Sequence, residues 1–153
     1  MKKIFLSLIV SFLALKSFAQ SGYNQAIGLK FPGGFAVTYK KFVTQNNNVE
    51  AQAIFWQQGF KAVGLYEFNF DITGVNNLRW FVGPGAHIGF WNSQYQKNYS
   101  SNADFGADGI IGLDYKFEEF PINVSLDWQP SITLVGNAGF LPNGGGLGIR
   151  YTF

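Results

Sequence analysis

Apolar and polar residues alternate along most of this chain with a period of two, the spacing of a half-buried β-strand, and helical spacing is almost absent after Gln20. In Tyr23 to Phe31, Ile27, Leu29 and Phe31 share one face and Asn24, Ala26, Gly28 and Lys30 the other. Pro32-Gly33-Gly34 is then a turn. A second strand from Phe35 sets Phe35, Val37 and Tyr39 against Ala36, Thr38 and Lys40, and a third runs from Val49 to Trp56. The fourth, Ala62 to Ile72, sets Tyr66, Phe68 and Phe70 against Glu67 and Asn69; the fifth, Leu78 to Phe90, sets Trp80, Val82, Ile88 and Phe90 against Arg79, Phe81 and His87. The sixth, Ala107 to Phe117, the seventh, Ile122 to Gln129, and the last, Gly145 to Phe153, repeat the pattern.

Eight alternating segments joined by short and longer connections predict an all-β fold. The predicted architecture is a closed eight-stranded antiparallel up-and-down transmembrane β-barrel, closure being what removes the two unpaired edges of an open sheet. Asn92 to Asp104 and Pro130 to Gly144 read as its main exposed loops.

Alternation alone fits an apolar inside as well as an apolar outside, and charge separates the two. Ten charges fall on the polar face: Lys30, Lys40, Arg79, Lys116 and Arg150 against Glu50, Glu67, Asp108, Asp114 and Asp127. Five of each sign is the balance of an enclosed interior that neutralises itself. These residues without Lys30, together with His87, form the predicted polar lumen. Hairpins centred on their turns make Glu67 the diagonal neighbour of Arg79, Lys40 of Glu50 and Asp127 of Arg150, within reach of long side chains.

The opposite face carries large aromatics near strand ends. Tyr39, Phe70, Trp80, Tyr115, Phe117, Tyr151 and Phe153 lie toward one rim, and Phe31, Phe35, Phe55, Phe90 and Trp128 toward the other. Two aromatic girdles flanking aliphatic residues are the exterior expected of a transmembrane barrel. Composition agrees: aromatic residues make up 18% and charged residues 13%, against about 25% charge in an average globular chain. The competing reading is a soluble sandwich or lipocalin-like carrier with the apolar face inside.

The N-terminus adds export. Met1-Lys2-Lys3, the apolar run Ile4 to Leu15 and Ser17-Phe18-Ala19 form a charged region, an apolar region and a small-x-small cleavage site. Residues 1–19 are therefore expected to be a cleaved signal peptide and 20–153 the barrel domain. Losing Lys2, Lys3 and Lys16 leaves eight basic against nine acidic residues, a net charge of −1, so nucleic acid is not an implied partner. The chain has no cysteine, which excludes thiol chemistry and Cys-based metal sites.

The last residues, Leu147, Ile149, Tyr151 and Phe153 at alternate positions, resemble the C-terminal signal of bacterial outer-membrane barrels, which the barrel-assembly machinery reads. The whole mature chain resembles the small barrels of the OmpA transmembrane-domain and OmpX type, and Val82-Gly83-Pro84-Gly85-Ala86-His87-Ile88-Gly89-Phe90-Trp91 is similar to small barrels of this general kind. The resemblance implies a bacterial outer-membrane location, outer-membrane lipid and the assembly machinery as partners, a monomer, and Tyr151 and Phe153 as the assembly signal. Pro84 departs from a regular strand and, flanked by glycines, suggests a bulge. Ending at the barrel, the sequence does not imply the peptidoglycan-binding function of full-length OmpA.

No catalytic, cofactor or metal motif is evident. His87 is the single histidine, and no Ser or Asp can be tied to it by spacing. Asp108 and Asp114 share a face but lie about 20 Å apart along a strand, too far for one metal. The glycines at Gly144-Gly145-Gly146 form no nucleotide-binding unit. The expected function is a non-enzymatic structural or surface-interaction barrel with a largely filled lumen. The alternatives are a membrane-embedded lipid-modifying enzyme of the PagP kind, which needs a nucleophile near His87, and a carrier or passage for small apolar ligands.

Overall fold

A computed structural model describes residues 23–92 and 102–153; the expected signal peptide and most of the loop after Asn92 lie outside the described residues. Its elements are β1 (Gln25–Phe31), β2 (Phe35–Phe42), β3 (Asn47–Trp56), β4 (Gly59–Asp71), β5 (Leu78–Trp91), β6 (Ala103–Lys116), β7 (Ile122–Trp128), β8 (Ser131–Val135), β9 (Gly139–Leu141) and β10 (Gly145–Thr152). β7 and β8 both pair with β6 and are one barrel strand interrupted at Gln129-Pro130. β9 and β10 are likewise one strand, so the ten segments make eight, and β1 pairs with β10 to close an antiparallel barrel.

The registers give its shape. Partners followed from Leu29 through Val37, Ala53, Ala62 and Ile88 reach Phe105 on β6. Followed the other way, through Ile149 and Val124, they reach Tyr115, ten residues further along the same strand. A stagger of ten residues of about 3.3 Å over eight spacings of about 4.8 Å tilts the strands by roughly 40°. The stretch from Tyr115 to Phe105 then rises about 25 Å along the axis, the height of the apolar band of a membrane barrel.

The pleat puts Ile27, Leu29, Phe31, Phe35, Val37, Phe55, Phe68, Phe70, Ile111, Leu113, Leu126, Leu147 and Ile149 on the outside, each at least 37% exposed, while Lys30, Lys40, Glu50, Glu67 and Arg150 inside are 2% exposed or less. Polarity is thus inverted relative to a protein folded in water. The lumen is not polar throughout: Ala36, Ile54, Val63, Leu65, Phe81 and Ile110 pack together inside it, with Trp56 against them. Room for such bulk comes from facing glycines. A Cβ on Gly112 would lie 2.7 Å from the Phe81 ring, and one on Gly106 would lie 2.6 Å from the His87 ring.

Several expectations need correction. Pro130 to Gly144 is not one loop, because β8 and β9 continue the hairpin to a turn at Gly136, which takes φ 93°. Two residues, Gln129 and Pro130, stand opposite three, Pro142, Asn143 and Gly144, before Trp128 meets Gly145; this one-residue bulge, with Gly145 at φ 112°, is what shifts the β7–β10 register. Pro84 makes no bulge. The ladder to β4 omits Tyr66–Pro84 and Glu67–Gly83 and resumes in the same register, since proline removes a hydrogen bond without adding a residue. Ala103 and Asp104, placed in a loop by the sequence pattern, begin β6.

Candidate functional site

Among the described residues, the polar side chains of the lumen fall into two groups. At the end carrying the β1 start and the β10 finish, Lys40 Nζ lies 2.9 Å from Glu67 and 3.4 Å from each of Glu50 and Asp114. Arg150 Nη2 donates to both oxygens of Glu50, at 2.9 and 3.0 Å, while Nε donates to Thr38 and Nη1 to Ser125. Asn48 donates to Glu67, Gln52 to Glu50 and Asn123 to Asp114. Lys40 also sits 4.6 Å from the centre of the Phe81 ring. Residues on β2, β3, β4, β6, β7 and β10 are tied together in this way, which couples strands that are not neighbours in the sheet.

The second group lies toward the opposite end. Lys30 pairs with Asp127 at 2.6 Å and donates to Gln129 at 3.0 Å. Asp108 lies 2.6 Å from His87 Nδ1, 3.4 Å from the Gln129 amide and 3.5 Å from Lys61. Thr133 Oγ1 is 3.4 Å from His87 Nε2, and Asp104 accepts from the Trp91 indole at 2.5 Å.

Of the predicted lumen residues, Lys40, Glu50, Glu67, His87, Asp108, Asp114, Asp127 and Arg150 are buried inside. Lys40 and Glu50 stand directly opposite each other rather than diagonally. Two pairings are wrong. Arg79 is opposite Asp71 and bonds it at 2.6 Å at the rim, and Glu67 belongs to Lys40. The turn between β4 and β5 centres one residue beyond Gly74, with Asn77 at φ 63°, and this moves every partner by two while keeping its face. Asp127 is opposite Gly146 and pairs with Lys30, whereas Arg150 is opposite Asn123 and pairs with Glu50. Lys116 does not join the network: from the last position of β6 its ammonium donates to the carbonyls of Phe117 and Phe120 in the following turn.

Lys61 and Asp104, expected in connections or at strand ends, are buried lumen residues, because β4 starts at Gly59 and β6 at Ala103. Alternation from Val63 and Leu65 back to Lys61 was the signal for the first. Tyr23 was expected to open the first strand, in phase with the outward Ile27, Leu29 and Phe31; the strand starts only at Gln25, so alternation does not govern Tyr23, and its hydroxyl reaches Asp114 at 3.2 Å.

His87 gains the neighbours that spacing did not reveal. Thr133, His87 and Asp108 form a hydroxyl–imidazole–carboxylate line. All three are buried, and the cavity at this end is walled by Asp108 but by neither His87 nor Thr133, so the hydroxyl is not presented to a substrate there.

Among solved structures, the N-terminal β-barrel domain of Pseudomonas aeruginosa OprF is similar, with a TM-score of 0.62 at 19% identity over 86% of this chain and 99% of that one. The chain has the fold of that barrel. No family model and no curated protein matches it.

Proposed function

We propose that this protein is an integral barrel of the bacterial outer membrane, structural or surface-interacting rather than enzymatic, with a lumen too filled for wide conduction. The observation that carries the reading is the inverted polarity: an apolar exterior about 25 Å tall around buried, paired charges. Water would solvate such charges on an exterior and expel such an exterior, so lipid is the solvent that fits both. The likeness in fold to the OprF barrel domain supports the location. The lumen carries Arg150, Lys40, Phe81 and their partners across its section, and eight-stranded barrels are generally filled by side chains.

The test is fractionation. The protein should leave the outer membrane only with detergent and should migrate differently on a gel before and after heating. Recovery of native protein from the periplasm without detergent would overturn the reading.

A further inference from the structure

At the end of the barrel away from the chain termini, a cavity of about 170 Å³ is walled by Ile54, Trp56, Lys61, Asp108, Gln129 and Ser131, with Leu141 and Asn143 among its rim residues. Lys61, Asp108, Gln129 and Ser131 are each at least nine-tenths buried. Their mutual contacts here are long. Lys61 Nζ stands 3.5 Å from Asp108 and 3.5 Å from Ser131; His87 takes Asp108 Oδ2 at 2.6 Å, and among the described residues Asp108 Oδ1 has Lys61 and the Gln129 amide, the latter at 3.4 Å. Charge-assisted hydrogen bonds usually close to about 2.7–2.9 Å. An ammonium and a carboxylate oxygen thus keep bonding capacity unspent beside a cavity.

We propose that this cavity binds one hexose ring. Its volume is below the roughly 300 Å³ at which drug-sized pockets begin and close to the 150 Å³ that admits a benzene ring, so a single six-membered ring is the limit. An anion would face Asp108, and a cation would face Lys61. A purely apolar ring would leave both without better partners, which costs binding. Vicinal hydroxyls accept from the ammonium and donate to the carboxylate at once, while Ser131 offers both roles. The Trp56 indole, stacked on Trp91 at 6.0 Å, and Ile54 supply apolar surface for the ring's C–H groups.

The test uses protein purified from membranes in detergent, with saturation-transfer NMR read on the ligand. Methyl glucoside, galactoside and mannoside are the probes, alongside trisaccharides ending in each sugar, cyclohexanol and benzoate. At least one hexoside should bind saturably and more tightly than cyclohexanol or benzoate. Binding of the trisaccharide alone would assign the ring to a glycan end, and binding of the monosaccharide to a free sugar. Ser131→Ala should weaken binding about threefold to tenfold, and Lys61→Met by at least about tenfold. Leu141→Trp, at an exposed position on the wall of the cavity, should fill the cavity and abolish the signal while heat-modifiable gel mobility remains. No transfer to any sugar would mean that the cavity holds only water, about five or six molecules at roughly 30 Å³ each, and would overturn the proposal. Equal binding of cyclohexanol or benzoate, or undiminished binding by Leu141→Trp, would overturn it as well.

Discussion

The pair Arg150 and Glu50 offers the sharpest measurement of what the lumen contributes to stability. Arg150→Met removes a guanidinium that is 1% exposed and donates to Glu50, Thr38 and Ser125. Breaking a buried ion pair from one side costs about 3–5 kcal/mol, because the other charge is stranded. Glu50 is not wholly stranded here: Lys40 remains at 3.4 Å and Gln52 donates at 2.9 Å. The lower end, about 3 kcal/mol, is therefore expected. Glu50→Gln leaves the guanidinium its hydroxyl acceptors and should cost about 2–3 kcal/mol. The double variant should cost less than the sum by about 2 kcal/mol, since the second change removes the charge that the first had stranded.

Urea unfolding in lipid vesicles, followed by tryptophan emission and by gel mobility, gives the four free energies of the cycle. Losses that add to within about 0.5 kcal/mol would refute the coupling and with it this reading of the network. The same cycle on Asp71 and Arg79 is the control. That pair is shorter, at 2.6 Å, but the Asp71 side chain is 75% exposed, so its coupling should stay below about 1 kcal/mol.

Glu67→Gln with Arg79→Met should be additive, since Glu67 serves Lys40 and Arg79 serves Asp71; coupling above about 1 kcal/mol by urea unfolding would contradict the register. Gly112→Ala should destabilise by about 1–3 kcal/mol in the same assay, because the added carbon meets the Leu126 carbonyl at 2.6 Å and the Phe81 ring at 2.7 Å; an unchanged midpoint would show the lumen to be loose. Planar-bilayer recordings should lack large, reproducible conductance steps, and His87→Ala should leave any measured lipid turnover unchanged; porin-sized steps would refute the filled lumen. Deleting Phe153 should lower outer-membrane abundance on quantitative blots of membrane fractions, and normal abundance would remove its role as an assembly signal.

Much of the architecture was legible because the pleat has a period of two and lipid demands one apolar face. Those two facts place Phe35, Val37 and Tyr39 outside and Ala36, Thr38 and Lys40 inside before any partner strand is known. Partners were less legible, because a turn shifted by one residue changes every opposite number by two and leaves the alternation untouched. That is how Arg79 was matched with Glu67 instead of Asp71. The bulge at Pro142 to Gly144 hid the β8–β9 hairpin in the same way, since glycine, proline and asparagine there read as a plain loop. Pairs across the lumen were not legible at all. Lys30 with Asp127 and Arg150 with Glu50 join residues 97 and 100 positions apart, and only barrel closure brings them together.

The same inversion explains where individuality lies in such a fold. The exterior answers to lipid and needs only apolar side chains of suitable length, so many sequences satisfy it equally. The interior must neutralise each buried charge and fill each section at fixed registers, which ties Lys40 to Glu50, Glu67 and Asp114 together. At the end nearest the chain termini Lys40 closes on Glu67 and Arg150 on Glu50, each at 2.9 Å. At the other end Lys30 closes on Asp127 and His87 on Asp108, each at 2.6 Å, while Lys61 stands 3.5 Å from Asp108 beside open volume. A lumen with short pairs at both ends and one loosely held ammonium beside open volume keeps its stability in those pairs and its capacity for a ligand at Lys61.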